Sequence, residues 1–299
     1  MRFVTDYMRD EVLRHELNEL TQETFGFDFE SWVTNGYFEG DYIPYSYEEN
    51  GKLIANVSVN RMAFLQNGVE KHYIQVGTVM TGQAFRNQGY ARKLMEKVLS
   101  DYAGKCDGIY LFGNLDALGF YDKVGFARGM QYRYMLKSDM RAELQKQAAE
   151  QDEAACFRQI EDTDLQRKAC YMEAVRQSTV NSAFEQINKY GLQMFYTAEM
   201  EPVFYCEALD CYISMYEEEG ALYLKSVIAK EKVGLKQILT HIKSEYMNLI
   251  LGFTPCEEDA YMFDMEPYDG EDDYRLFIYG EGLRSIEKER LYFPEFSHA

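Results

Sequence analysis

In the stretch RNQGYA, Arg86 to Ala91, glycine and alanine sit where backbone N–H groups must face outward as a helix begins. Such a turn is an anion site: the orphan amides and the positive end of the helix dipole hold a phosphate, and a bulky side chain would keep it away. The amides concerned belong to Asn87, Gln88, Gly89, Tyr90 and Ala91, and Arg86, Arg92 and Lys93 add local positive charge to a chain of formal net charge −19. Two common phosphate loops are excluded, because GxxxxGKS/T is absent and no GxGxxG follows a strand. The loop calls for a different anionic cofactor.

The elements that must position this loop are legible on both sides of it. Met8, Val12, Leu13, Leu17 and Leu20 lie at helical spacing and lead to a glycine, and a shorter helix is expected through FESWVTNGYF. The pattern then changes to short apolar and β-branched stretches separated by ENG and NG, which predict three antiparallel strands near residues 42–47, 53–64 and 71–81. The third strand feeds the loop. Beyond it, Ala91, Leu94, Met95, Val98, Leu99 and Tyr102 give a helix one apolar face, to be laid on a sheet. GIYLFGN then reads as a buried strand, LDALGFYDKVG as a short helix and ARGMQYRYML as one final strand.

The polar, alanine-rich segment SDMRAELQKQAAEQDEAACF reads as a helical connector. It divides the chain into a first domain at 1–139, a connector at 140–155 and a second domain at 156–299. The second domain repeats the element order: a helix in TDLQRKACYMEAVRQ, strands in VFYCEALDCYISMYEEEGALYLKSVIA, a helix from Gly234 through LKQILTHIKSEY, and strands in MNLILGF and YRLFIYG. In that alignment Gly234 stands for Gly89, but the arginine and the glycine-x-alanine ending of the loop are gone. No residue-level identity supports the repeat, so two unrelated α+β segments would give the same order.

The length of 299 residues, 46% hydrophobic content and only five prolines describe a chain folded throughout. The acidic excess makes nucleic acids and anionic membranes poor partners and favours cationic ones, although acidity also serves solubility. The six cysteines form no CxxC pair, the four histidines show no HxxxH or HxH spacing, and metal is not called for. No apolar run reaches the roughly 18 residues of a membrane span, so a cytoplasmic, reducing location is expected.

Taken together, the residues resemble the GCN5-related N-acetyltransferase (GNAT) family. Arg86-Asn87-Gln88-Gly89-Tyr90-Ala91 matches its motif Q/R-x-x-G-x-G/A, and NLDALGFYDKVGF matches N-x-x-A-x-x-F/L-Y-x-K-x-G-F through Asn114, Ala117, Phe120, Tyr121, Lys123, Gly125 and Phe126. The resemblance covers roughly residues 1–137 and implies a mixed α/β fold, an acyl-CoA N-acyltransferase domain followed by a second, degenerate GNAT-like domain. It also implies acetyl-CoA as co-substrate. Its pyrophosphate would rest on the amides of Asn87 to Ala91, with Arg86 alongside, and its pantetheine arm would pair with the strand end at Val79 and Thr81, with Asn114 reaching the same arm. Gln83 stands where a proline is common. Tyr121 is the candidate general acid for the leaving thiolate, since a phenol of reference pKa about 10 can give it a proton.

The resemblance implies a primary amine as acceptor, on a small cationic molecule or a lysine, and such an amine must shed a proton before attack. No base is identified. Glu39, Asp41, Glu48 and Glu49 lie near the first hairpin but read equally as solvated charges, and Trp32, Tyr37, Phe38, Tyr42, Tyr45 and Tyr47 would serve either a pocket wall or the core. The carboxylate of Ala299 is a further conjecture for the site. A homodimer stays open as the assembly. The alternative class is a non-catalytic acyl-CoA binding or sensing protein, which would keep the loop and lack turnover.

Overall fold

The structure is a computed structural model, described over residues 1–198, 202–270 and 274–298, without the side chains of Asp116 and Leu118. Ala299 and its carboxylate lie outside the described residues.

The first half opens with β1 (Arg2–Thr5), α1 (Glu11–Phe25) and α2 (Glu30–Thr34). The Asp10 carboxylate accepts from the N–H groups of Val12 and Leu13 to start α1, and Gly26, at φ +79°, ends it. Then come β2 (Tyr42–Glu49), β3 (Lys52–Gln66) and β4 (Val69–Thr81). Both connecting turns are two-residue Asn-Gly pairs with positive φ at each position, Asn50-Gly51 and Asn67-Gly68. After them follow α3 (Tyr90–Tyr102), β5 (Gly108–Asn114), α4 (Leu118–Lys123), β6 (Ala127–Arg128) and β7 (Gln131–Leu136).

The second half contains α5 (Ser138–Glu150), β8 (Arg158–Gln159), α6 (Leu165–Arg176), β9 (Phe184–Gln186) and α7 (Tyr190–Thr197). It continues with β10 (Val203–Cys206), β11 (Cys211–Glu218), β12 (Ala221–Ala229), α8 (Leu235–Leu239) and β13 (Asn248–Leu251), and closes with β14 (Phe263–Tyr268), β15 (Tyr274–Tyr279) and α9 (Ser285–Lys288). The helix expected from Gly234 onward is thus a short one. β1, β9, α7, β14 and α9 carry too few residues, or too little periodicity, to have been expected.

Among the described residues there are two mixed sheets. The first runs β1-β2-β3-β4-β5-β15-β6 with β9 added on β3, and the second runs β14-β7-β13-β12-β11-β10-β8. Each contains one parallel pair, β4 with β5 and β12 with β13, and beyond it an inserted strand and a short edge strand. The repeat expected from element order is therefore present as topology.

The inserted strands are exchanged between the halves. β15 lies antiparallel on β5 from Tyr279↔Ile109 to Tyr274↔Asn114 and also pairs with β6, while β7 lies between β13 and β14. The single final strand expected over 127–136 is thereby corrected. The chain leaves the first sheet at Gly129, whose N–H donates to Leu276 O (2.9 Å), and a Cβ there would stand 3.0 Å from the Leu276 side chain. A division of the sequence near residue 139 does not coincide with a division of the sheets.

One face of the first sheet packs Val57, Ile74, Val76 and Leu111 against Leu94, Met95 and Val98 of α3. The other packs Phe64, Tyr73 and Tyr110 against Phe184 and Phe293 from the second half, with α1 and α2 closing its far end through Leu17, Leu20, Phe29 and Trp32.

Candidate active site

β4 and β5 pair only at Tyr73↔Gly108, Ile74↔Ile109 and Gln75↔Tyr110. β4 then continues to Thr81 and β5 to Asn114, each still held by its outer neighbour, Thr81 against Ala55 and Asn114 against Tyr274. Between them a wedge opens, and the inner edge of β4 past Gln75, which includes Val79 and Thr81, has no strand partner among the described residues. An unpaired strand edge offers amide and carbonyl groups to an extended chain.

At the mouth of the wedge the loop turns into α3. Asn87 (φ +62°) and Gly89 (φ +81°) both adopt the left-handed conformation. Gly89 is the N-cap, no side chain caps the helix, and its first turn contains no acidic residue. The first helical bond is Lys93 N–H to Gly89 O, 3.1 Å, so the amides of Tyr90, Ala91 and Arg92 remain as orphan donors. A Cβ on Gly89 would meet nothing within 4 Å: glycine is needed there for its backbone conformation and for open access, not to avoid a clash. The Arg86 Nε donates to Thr81 O (3.2 Å) and the Gln88 amide to Ala84 O (3.1 Å), bracing the loop from behind. The Tyr90 ring packs edge-on to Tyr47 and Phe85.

Tyr121, on α4, is 6% exposed and packs against Phe120, Phe126 and Phe277. Its ring crosses Gly113 of β5 so closely that a Cβ there would lie 2.5 Å from it. Burial pushes the phenol up to about 12, so it stays protonated at neutral pH and can only give a proton. Asn114 is exposed, and its side-chain oxygen accepts from Ala117 N–H (3.1 Å). The oxygen is spent on the turn into α4, which leaves the amide NH2 for another partner.

The carboxylates near the first hairpin are engaged elsewhere. Glu48 pairs with Arg2, Glu39 with Arg176, Asp41 with Arg61 and Asn188, and Glu49 with the N-terminal amine. Trp32 and Tyr42 belong to the core beneath α1 and α2, and Tyr45 to the core beneath α3. Sequence reasoning missed two neighbours of the wedge. Tyr274 is brought opposite Asn114 by the strand exchange, and the His298 ring stacks on Phe112 of β5 with 3.9 Å between centroids. Burial lowers the His298 pKa and favours the neutral imidazole. No local signal could have placed either residue, since each contact joins β5 to a residue far along the second half of the chain.

The corresponding place in the second half is filled by the protein itself. β12 and β13 part after Leu224↔Leu251, but Thr179 N–H donates to Ala229 O (2.9 Å), and Glu295 N–H donates to Gly252 O (2.8 Å). What remains is a cavity of about 50 Å3 lined by Ser182, Glu185, Gln193, Lys225 and Phe296 among others. At the N-terminus of α8 the Asp259 carboxylate accepts from Leu235 N–H (3.1 Å) and the Gln237 side chain from Gly234 N–H (3.3 Å). The first orphan donor of α3, on Tyr90, thus has a satisfied counterpart on α8 in Leu235.

Residues 5–126 match the acetyltransferase (GNAT) family model, and this part of the chain is a GNAT-family domain. Solved structures extend the likeness across nearly the whole chain. A GCN5-related N-acetyltransferase from Kribbella flavida covers 95% of this chain and 72% of its own at 16% identity, with a TM-score of 0.55. A probable N-acyltransferase from Enterococcus faecalis V583 covers 96% and 74% at 12% identity and TM-score 0.56. Eis1 from Mycobacterium abscessus covers 92% and 73% at 12% identity and TM-score 0.53. At such identities the likeness is one of fold. No curated protein matches the chain by sequence. No helix among the described residues is long and apolar enough to cross a membrane.

Proposed function

We propose that the first half binds acetyl-CoA and transfers its acetyl group directly to a primary amine on a small cationic molecule or a lysine. The observation that carries this reading is the uncapped N-terminus of α3 standing beside the unpaired edge of β4. One accepts a pyrophosphate at the amides of Asn87 to Ala91, and the other lies along a pantetheine arm at Val79 and Thr81, with the free NH2 of Asn114 at the opposite side of the wedge.

The amine nitrogen attacks the thioester carbonyl carbon, a C–N bond forms, and the C–S bond breaks. Tyr121 protonates the departing thiolate and regains its proton from solvent; the ammonium loses one proton to solvent before attack and a second as the amide forms. A field of net charge −19 raises the local concentration of cationic acceptors. The second half, with its own wedge filled, contributes strands and no second cofactor site. Six free thiols suit a reducing, cytoplasmic setting.

The test is free-thiol release from acetyl-CoA against a panel of primary amines. Wild type is expected to turn over at least one of them, and Tyr121→Phe to bind acetyl-CoA normally while kcat falls about a hundredfold or more. Binding without release on any amine would instead favour a sensor, and unchanged kcat in Tyr121→Phe would remove the phenol from the chemistry.

A further inference from the structure

β3 and β4 are out of step at one point. Asn56 faces Met80 while Ser58 faces Gly77, so Thr78 and Val79 together oppose Val57 in a β-bulge. Thr78 has φ +42°, in the left-handed region that a β-branched residue seldom enters. The bulge lies on the stretch of β4 that borders the wedge.

Beneath it runs a line of uncharged side chains, Tyr7, Ser46, Asn56, Ser58 and Tyr42, none more than 4% exposed. Ser46 donates to Asn56 Oδ1 (2.7 Å), so the phenol of Tyr7, 2.5 Å away, must donate to Ser46. That fixes the Asn56 amide, whose Nδ2 donates to Ser58 Oγ (2.8 Å) and to the backbone oxygen of Thr78 (2.9 Å). Ser58 in turn donates to the Tyr42 hydroxyl (2.6 Å), which leaves the Tyr42 proton for Thr78 Oγ1 (2.7 Å). Every donor points the same way, and both branches end on Thr78. A core in want only of packing would fill this space with apolar groups and avoid the desolvation of so many polar atoms.

We propose that Asn56, Ser58 and Tyr42 are positioning residues of the acyl-transfer site: they hold Thr78 in its left-handed conformation and so aim the free edge of β4, at Val79, toward the thioester. The inference rests on the acetyltransferase reading. Its effect belongs to alignment of the reacting carbonyl rather than to capture of the pyrophosphate, which sits on α3.

The experiment compares wild type with Tyr42→Phe and Ser58→Ala, each of which deletes one hydroxyl and is expected to fold, and with Tyr42→Phe combined with Thr78→Gly. Thiol-release kinetics, acetyl-CoA titration calorimetry and the thermal midpoint are read for each. The single variants are expected to lose about tenfold in kcat, the scale of a small misplacement of reacting groups, with the Kd for acetyl-CoA within about threefold of wild type. Thr78→Gly should return much of the lost kcat, because glycine adopts positive φ without strain. Wild-type kcat in both single variants, with only a lowered midpoint, would reduce the network to packing and overturn this inference alone, as would a Kd that weakens in step with kcat. A wild-type protein that neither binds nor turns over acetyl-CoA would overturn the acetyltransferase reading as well.

Discussion

Tyr121 shows how one side chain's surroundings set what it can do. Burial raises its phenol from the ordinary 10 to about 12, so between pH 6 and 9 it is always protonated. The acceptor ammonium, with a reference pKa of about 10.4, must lose its proton over the approach to that value. Under the proposed function kcat is therefore expected to rise with pH through the amine alone, and the factor by which Tyr121→Phe lowers kcat should be the same at pH 6.5 and pH 9. A factor that shrinks as pH rises across that range would mean a phenol titrating near neutrality. The shift also bears on stability: the unfolded phenol ionises first, so the stabilisation is complete below pH 10 and lost as pH climbs through about 12. At this scale much was legible in sequence, because Gly89 and Asn87 need backbone conformations that their types advertise and Tyr121 stands in a recognisable register. Tyr274 and His298 were not legible, since what makes them neighbours of the wedge is a fold-wide contact rather than a spacing.

At the scale of elements, two helix beginnings tell the halves apart. α3 opens at a bare left-handed glycine, whereas α8 opens on the Asp259 carboxylate and the Gln237 side chain. The helix dipole and orphan amides are the same device in both; only the partner differs. Asp259 is 9% exposed, and burial, partly offset by the bond from Leu235 N–H, raises its pKa. A raised pKa means that stability is lost as pH rises through the folded value, so the charge is a net cost at neutral pH. Asp259→Asn keeps an oxygen for Leu235 and removes the charge. It is expected to raise stability at pH 7 and to change nothing near pH 3, with urea unfolding at both pH values as the check; a loss at pH 7 would show that the ionised form is favoured there. The hairpins and the long amphipathic α3 were plain in sequence because Asn-Gly turns and a regular apolar face are local signals. Short elements such as β9 and β14 were hidden, as their pairing partners decide them.

At the scale of the whole molecule, the exchange of β7 and β15 makes each sheet depend on both halves of the chain. Alternating apolar residues define a strand but not its neighbour, which is why QYRYML reads naturally as the end of the first domain and nonetheless completes the second sheet. The exchange bears on the wedge directly: the strand flanking β5 there comes from the second half, so under the proposed function that half helps to shape the site. Acidity, by contrast, is a property of the chain that composition states outright, and under the proposed function it favours cationic acceptors through the long-range field. The central claim is that one wedge, between β4 and β5 beneath the open end of α3, binds acetyl-CoA. Titration calorimetry of the full chain with acetyl-CoA, on wild type and Gly89→Glu, tests it most directly. The account predicts one site per chain in the wild type and none in Gly89→Glu, whose side chain would bring both a carboxylate and backbone strain to the anion site; two sites, or unchanged binding in the variant, would contradict it.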